Sequence, residues 1–439
     1  MVEIFDRYDR QLRLWGTYGQ QLIENSHIIT IIDNNSKDTH NLVYETWKNL
    51  ILTGTKHLSL VNLSGQEFPL PMEDLKQLND DVELTCTKIL TEETYPTILL
   101  NIEEKLQHEI FRKSKFVVIS CNVTGMVGHI QNYLPKMHLV FNSHNDHSVN
   151  DLRLKDPWPE YEYYLNSFNE TLSDKYNASS VPYPVILYQI LKKTDGSIKT
   201  KDIKEQLDGF YLSKINENAI YDLNFEQAKR FAYICNAHDK FIPDVIEPLL
   251  ENVERNQNMT HEPEEEKYFV LLVALRKFLS DYQSIPFSGE LPDLESSTEN
   301  FNKLKMIYNN KFNVDHNIFR KYLSTLYQSS ISTEESTSFL KNLSNICYLN
   351  FSTDMSAFNM LPAIQAEEFK DYWELYTTKK LPANIKTRKI LSTNSYSSTK
   401  FFAGLVSQEM IKFITHQYIP IENVFLFNAF SNYSETIKL

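Results

Sequence analysis

Glycine is scarce in this sequence, and its scarcity limits the kinds of nucleotide site that the chain can build. Only ten glycines occur in 439 residues, and none lies between Gly19 and Gly54. No two glycines have the G-x-G spacing that opens the G-x-G-x-x-G motif, and none have the spacing of the Walker-A or G-x-S-x-G motifs. Those motifs bring backbone amides close to phosphates or expose a nucleophilic serine. The chain therefore does not read as a self-sufficient nucleotide-using enzyme or as a serine hydrolase.

The turn in which such glycines belong follows the first strand pattern, HIITII at 27–32, and reads DNNSKDTHN. Asn and Ser accept turn geometry, but their side chains fill the space that a phosphate would occupy. Asp33 and Asp38 add negative charge where an anion would bind. We therefore expect a chain that keeps the fold without a nucleotide site of its own. A diverged loop that still binds nucleotide weakly is the alternative.

Cysteine is also scarce, which narrows the metal and thiol chemistry. The four cysteines are Cys86, Cys121, Cys235 and Cys347. Because they have no C-x-x-C spacing, a compact zinc site is excluded, and their scatter suits a reducing compartment. All four lie in or beside apolar patterns, so we expect buried positions rather than nucleophiles. No H-E-x-x-H motif occurs. His144, Asp146 and His147 could supply metal ligands, but a polar loop explains that cluster better, and we predict no metal site.

Long apolar runs and an excess of positive charge are absent as well. No window approaches the roughly 18 apolar residues of a membrane-spanning helix, and the first residues contain no apolar signal region. The net charge is −13, from 44 Lys+Arg against 57 Asp+Glu, which disfavours a nucleic-acid or anionic-membrane surface. We expect a cytoplasmic or nuclear protein with neither nucleic acid nor membrane as a partner.

The spacing of apolar residues divides the chain into an α/β beginning, a helical middle and an α/β end. Strand, helix and strand follow one another within about 35 residues, as in a βαβ unit, and KFVVISC at 115–121 adds a buried strand. Three-to-four spacing predicts helices in the middle. From about residue 388 a helix and two strands return. We therefore predict a discontinuous α/β domain, 1–155 with 388–439, around a mainly helical insert at 156–387.

The opening stretch RYDRQLRLWG, Arg7 to Gly16, strongly resembles the N-terminal signature of the activating enzymes of ubiquitin-like proteins. NDLRLKDPWPEY at 150–161, the stretch 289–311 and AGLVSQEMIKFITHQYIPIENVFLFNAFS at 403–431 resemble the regulatory subunits of heterodimeric neddylation activating enzymes. The resemblance covers both ends and the helical middle. It implies a Rossmann-like, adenylation-type (ThiF/MoeB-like) fold in which the helical insert corresponds to a catalytic-cysteine domain without the cysteine.

The resemblance also implies a division of labour between two chains. The catalytic subunit would hold ATP, Mg and the thioester cysteine, while this regulatory subunit would bind no cofactor and form a heterodimer that activates a NEDD8/Rub-type ubiquitin-like protein for cullin modification. Arg10, at the YDRQ position, would contact ATP phosphates across the interface. The apolar side chains of the segment would pack against its own domain and the partner: Tyr8, Leu12, Leu14 and Trp15.

Several alternatives remain open from the sequence. Arg10 could instead form only a structural ion pair with Asp6 or Asp9. The chain could be the equivalent subunit for a SUMO-type modifier, although the long insert and the 150–161 stretch argue against that. It could also be a stand-alone adenylating enzyme with an atypical loop, or a scaffold. Two features depart from the family pattern: a short segment between residues 62 and 115, and no acidic residue after the second strand.

Overall fold

The computed structural model describes most of the chain and divides it into two compact units. The described residues are 7–87, 95–135, 138–144, 151–173, 177–194, 199–214, 222–236, 243–255, 263–326, 331–349, 360, 362–393 and 395–438. One unit, here called the α/β unit, comprises Met1–His144 and Tyr348–Leu439; the other, the helical unit, is Asn145–Cys347. No helix among the described residues is long and apolar enough to cross a membrane.

The α/β unit alternates strands and helices over its first part and ends on helices and two further strands. Its strands are β1 (His27–Ile32), β2 (His57–Asn62), β3 (Glu83–Thr87), β4 (Thr97–Leu100), β5 (Val118–Thr124), β6 (Val127–Tyr133), β7 (His138–Val140), β9 (Val424–Asn428) and β10 (Tyr433–Ile437), and β8 (Cys347–Leu349) spans the unit boundary in the sequence. Its helices are α1 (Asp9–Asn25), α2 (Lys37–Thr53), α3 (Met72–Lys76), α4 (Glu104–Lys113), α13 (Glu367–Thr378), α14 (Ile385–Ser392) and α15 (Tyr396–Thr415).

The central sheet has eight strands in the order β10-β9-β6-β5-β4-β1-β2-β3. The five strands from β3 to β5 are parallel, and β6, β9 and β10 pair antiparallel. The parallel part has the order 3-2-1-4-5 of a doubly wound sheet, in which the chain leaves β1 toward β2 on one side and returns to β4 on the other. The predicted α/β class is confirmed, and the C-terminal strands complete the sheet begun at the N-terminal end.

Helix α2 shows how local sequence fixes these elements. Ser36 caps its N-terminus by accepting a hydrogen bond from the Thr39 amide, and Gly54 ends it in the left-handed conformation at φ 109°. The apolar side chains that recur along the helix at three-to-four spacing form one face and are fully buried: Leu42, Val43, Trp47, Leu50 and Ile51. Helix α15 also buries most of its apolar face, with Phe402, Val406, Met410 and Phe413 buried and Leu405 and Ile414 half-buried.

The segment between residues 62 and 115 holds more structure than the sequence suggested. It contains two strands and two helices, including the central strand β4. Strand β4 has only four residues, TILL, and all are buried, so it shows neither alternation nor length by which a strand is recognised. Strand β3 lies at the sheet edge and is mostly exposed. The parallel half of the sheet therefore takes two of its five strands from this segment.

The helical unit is built from helices joined by loops, as the apolar spacing predicts. Its helices are α5 (Pro159–Asn166), α6 (Tyr183–Lys193), α7 (Thr200–Lys214), α8 (Leu223–Arg230), α9 (Ile246–Arg255), α10 (Pro263–Tyr282), α11 (Thr298–Leu326) and α12 (Thr333–Lys341). Helices α13 and α14 belong to the α/β unit, whereas the sequence assigned residues up to 387 to the insert. The domain limits at 155 and 388 stay predictions.

The described part of the family-like stretch, residues 151–161, contributes to the core of the helical unit. Asp151 and Arg153 form a buried ion pair, with Nε 2.8 Å from Oδ1, and Arg153 lies over the ring of Phe287. The Tyr308 hydroxyl donates to that of Tyr161 over 3.1 Å. Burial raises the pKa of both phenols. The quoted stretch therefore stabilises a packed core, because its charged and aromatic groups find partners inside the unit.

Candidate functional site

The crevice at the carboxyl ends of β1 and β4 is where a doubly wound sheet binds a nucleotide. Strand β1 ends at Ile32 and leads into the Asp33–Ser36 turn before α2, and β4 leads to Asn101. Asn101 has a left-handed backbone at φ 53°. Its side-chain oxygen accepts a hydrogen bond from the Val123 amide over 2.8 Å. Polar side chains from both loops thus meet at this position.

Asn34 fills the centre of the turn with its own hydrogen bonds. Its Oδ1 accepts from the Ser36 amide over 3.2 Å and from the Thr39 hydroxyl over 2.7 Å. Its Nδ2 donates to the Asn101 carbonyl over 2.7 Å and to Asp33 Oδ1 over 2.9 Å. The Thr39 amide bonds Ser36 Oγ over 3.2 Å. Two amides at the start of α2 therefore have side-chain partners in the place where a phosphate would accept from them.

Two carboxylates lie at the same turn and oppose an anion. Asp33 Oδ2 accepts from the Glu103 amide over 2.8 Å, which holds its charge beside the end of β1. Asp38 lies in the first turn of α2, and burial raises the pKa of its carboxyl group. Negative charge at a helix N-terminus is stabilised by the helix dipole, which is the role a bound phosphate would otherwise have. Asp33 and Asp38 thus put two carboxyl groups at the turn where a dinucleotide-binding fold holds the pyrophosphate.

The end of β2 carries an amide where dinucleotide-binding folds place an acidic residue for the ribose. The buried Asn62 donates from Nδ2 to the Gln66 carbonyl over 2.9 Å and to Asn35 Oδ1 over 3.2 Å. Asn35 in turn donates to the Glu67 carbonyl over 2.7 Å. These bonds tie the β2 loop to the β1 turn. The sequence SLVNLSG has no acidic residue at this position. Asn62 stands there instead, and its side chain belongs to an internal hydrogen-bond network.

The three arginines of the opening stretch have different surroundings on or beside α1. Arg7 donates to the Leu78 carbonyl, and Arg13 pairs with Asp9 over 2.8 Å. Arg10 is exposed and has no ion pair with any of the described residues. Asp9 is therefore paired with Arg13 rather than with Arg10, and Asp6 lies outside the described residues. All three arginines are exposed, and Arg10 is the one whose guanidinium has no ion pair among the described residues.

The apolar residues of the opening stretch are exposed to different degrees. Leu14 is 51% exposed, whereas Tyr8, Leu12 and Trp15 are half-buried. The Tyr8 ring packs near Gly54, and burial raises the pKa of its phenol. The Trp15 indole donates to Gln20 Oε1 over 3.0 Å. The packing of Tyr8 and Trp15 on their own unit has a structural basis here; a role for the four residues at a heterodimer interface stays a prediction.

The cysteine thiols lack the lowered pKa of a nucleophilic cysteine. Burial raises the pKa of Cys121, Cys235 and Cys347, that of Cys235 to about 12. Raised thiol pKa values leave little of the reactive thiolate at neutral pH. Cys86 is exposed, so the expectation that it is a core residue was wrong. It lies on β3, the last strand on its side of the sheet among the described residues.

Of the three residues weighed as metal ligands, only His144 lies among the described residues. His144 is held by protein contacts, with its Nε2 2.9 Å from Gln417 Oε1 and its ring stacked on Tyr418 at a centroid distance of 3.9 Å. Asp146 and His147 lie outside the described residues. Within the described part of the chain, no three His, Cys, Asp or Glu side chains are grouped as a metal site.

Two buried glutamines that the sequence analysis did not single out hold the opening helix. Gln417 Nε2 donates to the Trp15 carbonyl over 2.7 Å, and Gln20 Nε2 donates to the Thr53 carbonyl over 3.1 Å. Both side chains are less than a tenth exposed. Gln417 falls within the quoted C-terminal stretch, but burial of an amide cannot be read from one sequence. The signal available was only its place inside that stretch.

Comparison with known proteins identifies relatives along nearly the whole chain. The NEDD8-activating enzyme E1 regulatory subunit of Saccharomyces cerevisiae is 29% identical over 481 residues, which cover 99% of this chain and 100% of that protein. The protein of the same name from Danio rerio is 25% identical and covers 99% and 98%. The Arabidopsis thaliana regulatory subunit AXR1 is 24% identical and covers 100% and 97%. No protein-family model matches the chain.

Similarity to solved structures is much weaker than similarity to these sequences. The crystal structure of E. coli MccB with AMPCPP and MccA is matched over 31% of this chain and 51% of that chain, at 12% identity and a TM-score of 0.24. A score that low carries no argument about fold or function. The sequence relatives, in contrast, extend through both units. The expected resemblance is confirmed: over almost its full length, this chain is similar to proteins named as regulatory subunits of NEDD8-activating enzyme.

Proposed function

We propose that this chain is the regulatory subunit of a heterodimeric enzyme that adenylates a NEDD8/Rub-type ubiquitin-like protein. The observation that carries the proposal is the near-complete coverage of relatives with that name in yeast, fish and plants. The α/β sheet supplies the adenylation-type framework. In this proposal the heterodimer partner is the catalytic subunit, and the activated protein is destined for cullins. The free thiols suit a cytoplasmic or nuclear location.

The chain performs no adenylation alone in this proposal, because its own crevice is filled. Asn34 occupies the turn after β1 and bonds the Ser36 amide, and Asp33 adds a carboxylate at the same turn. A phosphate placed there would lose amide partners and meet negative charge. ATP and Mg would therefore bind in the partner subunit. The raised thiol pKa values of the buried cysteines also support a chain that carries no thioester.

Arg10 is the residue by which this chain would act on the partner's chemistry. It is exposed on the first part of α1 and has no ion pair among the described residues. A guanidinium offers a planar set of donors that suits phosphate oxygens and stays charged at every relevant pH. Placed against ATP in the partner, it would neutralise the charge that develops as the modifier's carboxylate attacks the α-phosphate. Pyrophosphate then leaves and the acyl-adenylate forms.

The test is ATP–pyrophosphate exchange by the heterodimer carrying Arg10→Ala. Loss of one charged group that stabilises the transition state lowers a rate by about 10²-fold or more, so we expect a fall of at least about tenfold with the complex intact. Arg13→Ala is the matched control, because Arg13 lies on the same helix and pairs with the exposed Asp9. Equal activity of the Arg10→Ala and Arg13→Ala complexes would overturn the role of Arg10.

A further inference from the structure

Helix α1 is broken at Gly16, and the break sets the direction of the segment that carries Arg10. Gly16 has φ 72° and ψ 174°, outside the helical region, inside an element that otherwise runs from Asp9 to Asn25. The backbone angles at one residue therefore determine how residues 9–15 project from the rest of the α/β unit. Because Gly16 has open space around it, its own packing does not fix those angles.

The break is fixed instead by hydrogen bonds to Trp15, the residue just before it. The Trp15 carbonyl accepts from Gln417 Nε2 over 2.7 Å, and its indole donates to Gln20 Oε1 over 3.0 Å. Packing is tight at the same place: a Cβ atom at Gly19 would lie 3.0 Å from Trp15 Cβ and 3.2 Å from Gln417 Nε2. Backbone and side chain of Trp15 are thus both held, one by each glutamine.

Gln417 is itself held by the turn that ends α15. Its neighbours His416 and Tyr418 both have left-handed backbones, at φ 54° and 61°. The His416 carbonyl accepts from the Phe141 amide over 2.8 Å, and the Tyr418 amide donates to the Asn142 carbonyl over 2.8 Å. The Gln417 side-chain oxygen lies 2.9 Å from His144 Nε2. The amide that reaches Trp15 therefore has little freedom of its own.

We propose that Gln417 is a positioning residue for Arg10: by holding the Trp15 carbonyl it fixes the break at Gly16 and aims residues 9–15 at the partner's ATP. The inference rests on the proposed function, because it needs Arg10 to act in the partner's site. The segment keeps other attachments, from Arg7 to the Leu78 carbonyl and from Tyr8 against Gly54. Loss of the Gln417 bond therefore leaves the segment attached but alters its direction.

The test is a double-mutant cycle on the heterodimer, with Gln417→Glu and Arg10→Ala singly and together. Gln417→Glu keeps the size and the acceptor but removes the NH₂ group that donates to Trp15. Misplacement of a reacting group by about 1 Å lowers a rate by up to about 10²-fold. We expect Gln417→Glu to lower kcat of ATP–pyrophosphate exchange about tenfold, with KM for the modifier unchanged. In the Arg10→Ala background we expect no further loss, because the positioned group is gone.

Two further variants keep the result interpretable. Gln408→Ala removes an exposed glutamine from the same helix, and it should leave exchange unchanged. Gly19→Ala adds a Cβ atom in close contact with Trp15 and Gln417 without removing a hydrogen-bonding group. We expect it to lower the exchange rate less than Gln417→Glu does, and to have no effect in the Arg10→Ala background. Gly19→Ala replaces Gln417→Glu in the double-mutant cycle if the Gln417→Glu chain does not assemble with the partner.

The outcomes separate the two proposals. Full activity of Gln417→Glu, or losses from the two substitutions that multiply, would overturn the positioning role while Arg10→Ala still lowers exchange and the proposed function stands. If Arg10→Ala itself has no effect, the role of Arg10 fails, and the positioning role fails with it. A loss confined to KM for the modifier would also contradict positioning, since Gln417 would then affect modifier binding.

Discussion

Asn34→Ala tests whether the side-chain network in the β1 turn stabilises the α/β unit. Asn34 makes four hydrogen bonds, to the Ser36 amide, the Thr39 hydroxyl, the Asn101 carbonyl and the Asp33 carboxylate. Each such bond contributes about 0.5–1.5 kcal/mol net. Because the turn is only partly buried, water replaces some of the lost partners. We therefore expect the free energy of unfolding to fall by about 2 kcal/mol.

The assay is thermal and urea unfolding of the full chain, followed by far-ultraviolet circular dichroism. For a unit of about 150–250 residues, 2 kcal/mol corresponds to a Tm lower by about 4–8 °C. Asn25→Ala is the control, because Asn25 is exposed at the end of α1, and it should shift Tm by less than about 1 °C. A Tm for Asn34→Ala that matches the control would refute the reasoning that the turn is built around this side chain.

The same variant separates a filled site from a merely weakened one. Removing Asn34 leaves Asp33 in place and supplies no glycine, so calorimetric titration with ATP and Mg should detect no binding to the wild-type chain or to Asn34→Ala. Tight binding by the wild-type chain would contradict the proposed loss of the nucleotide site. Binding gained only by the variant would mean that one side chain, rather than the whole turn, excludes nucleotide.

Three further predictions test packing, ionisation and thiol exposure. Gly125→Ala should abolish stable folding, because a Cβ at φ 64° would lie 2.4 Å from the Ile390 carbonyl oxygen, whereas Gly404→Ala in the open part of α15 should raise Tm. Burial lowers the pKa of His129 to about 3, so the folded state loses stability as the pH falls below about 6.5. Urea unfolding should show a loss of about 2 kcal/mol at pH 5, and His129→Gln should reduce this loss. Ellman's reagent should modify Cys86 first under native conditions, and equal rates for all four thiols would contradict the burial described.

The sequence predicted those parts of the fold in which pattern and local chemistry agree. Helix α2 has an apolar face and ends at Gly54, so apolar spacing and local chemistry indicate the same helix; the Ser36 cap is seen only in the structure. Strand β4 was missed because four buried residues show no periodicity, and its strand identity comes from pairing with β1 and β5 on either side. Cys86 was misjudged because apolar neighbours do not reveal which strand forms the sheet edge.

Some features of the candidate site were predictable from the sequence, and others depend on contacts between distant residues. The missing glycines and the acidic turn were visible in the sequence, but the bond from Asn34 to the Asn101 carbonyl joins residues 67 positions apart. Gln417 reaches a carbonyl 402 positions away. The first contact depends on the pairing of β1 with β4. The second depends on the packing of α15, which apolar spacing predicts as a helix without indicating what its last turn contacts. Arg10 was identified through the family motif rather than from its chemistry alone.

The most direct measurement of the central claim is ATP–pyrophosphate exchange with the NEDD8/Rub-type modifier, first with this chain alone and then with the catalytic subunit added. The account predicts no exchange above background for the chain alone, because Asn34 and Asp33 occupy its crevice. It predicts exchange that appears with the partner and reaches a maximum at one chain of each kind. Modifier-dependent exchange by the chain alone would contradict the account, since it would require a working nucleotide site in this subunit.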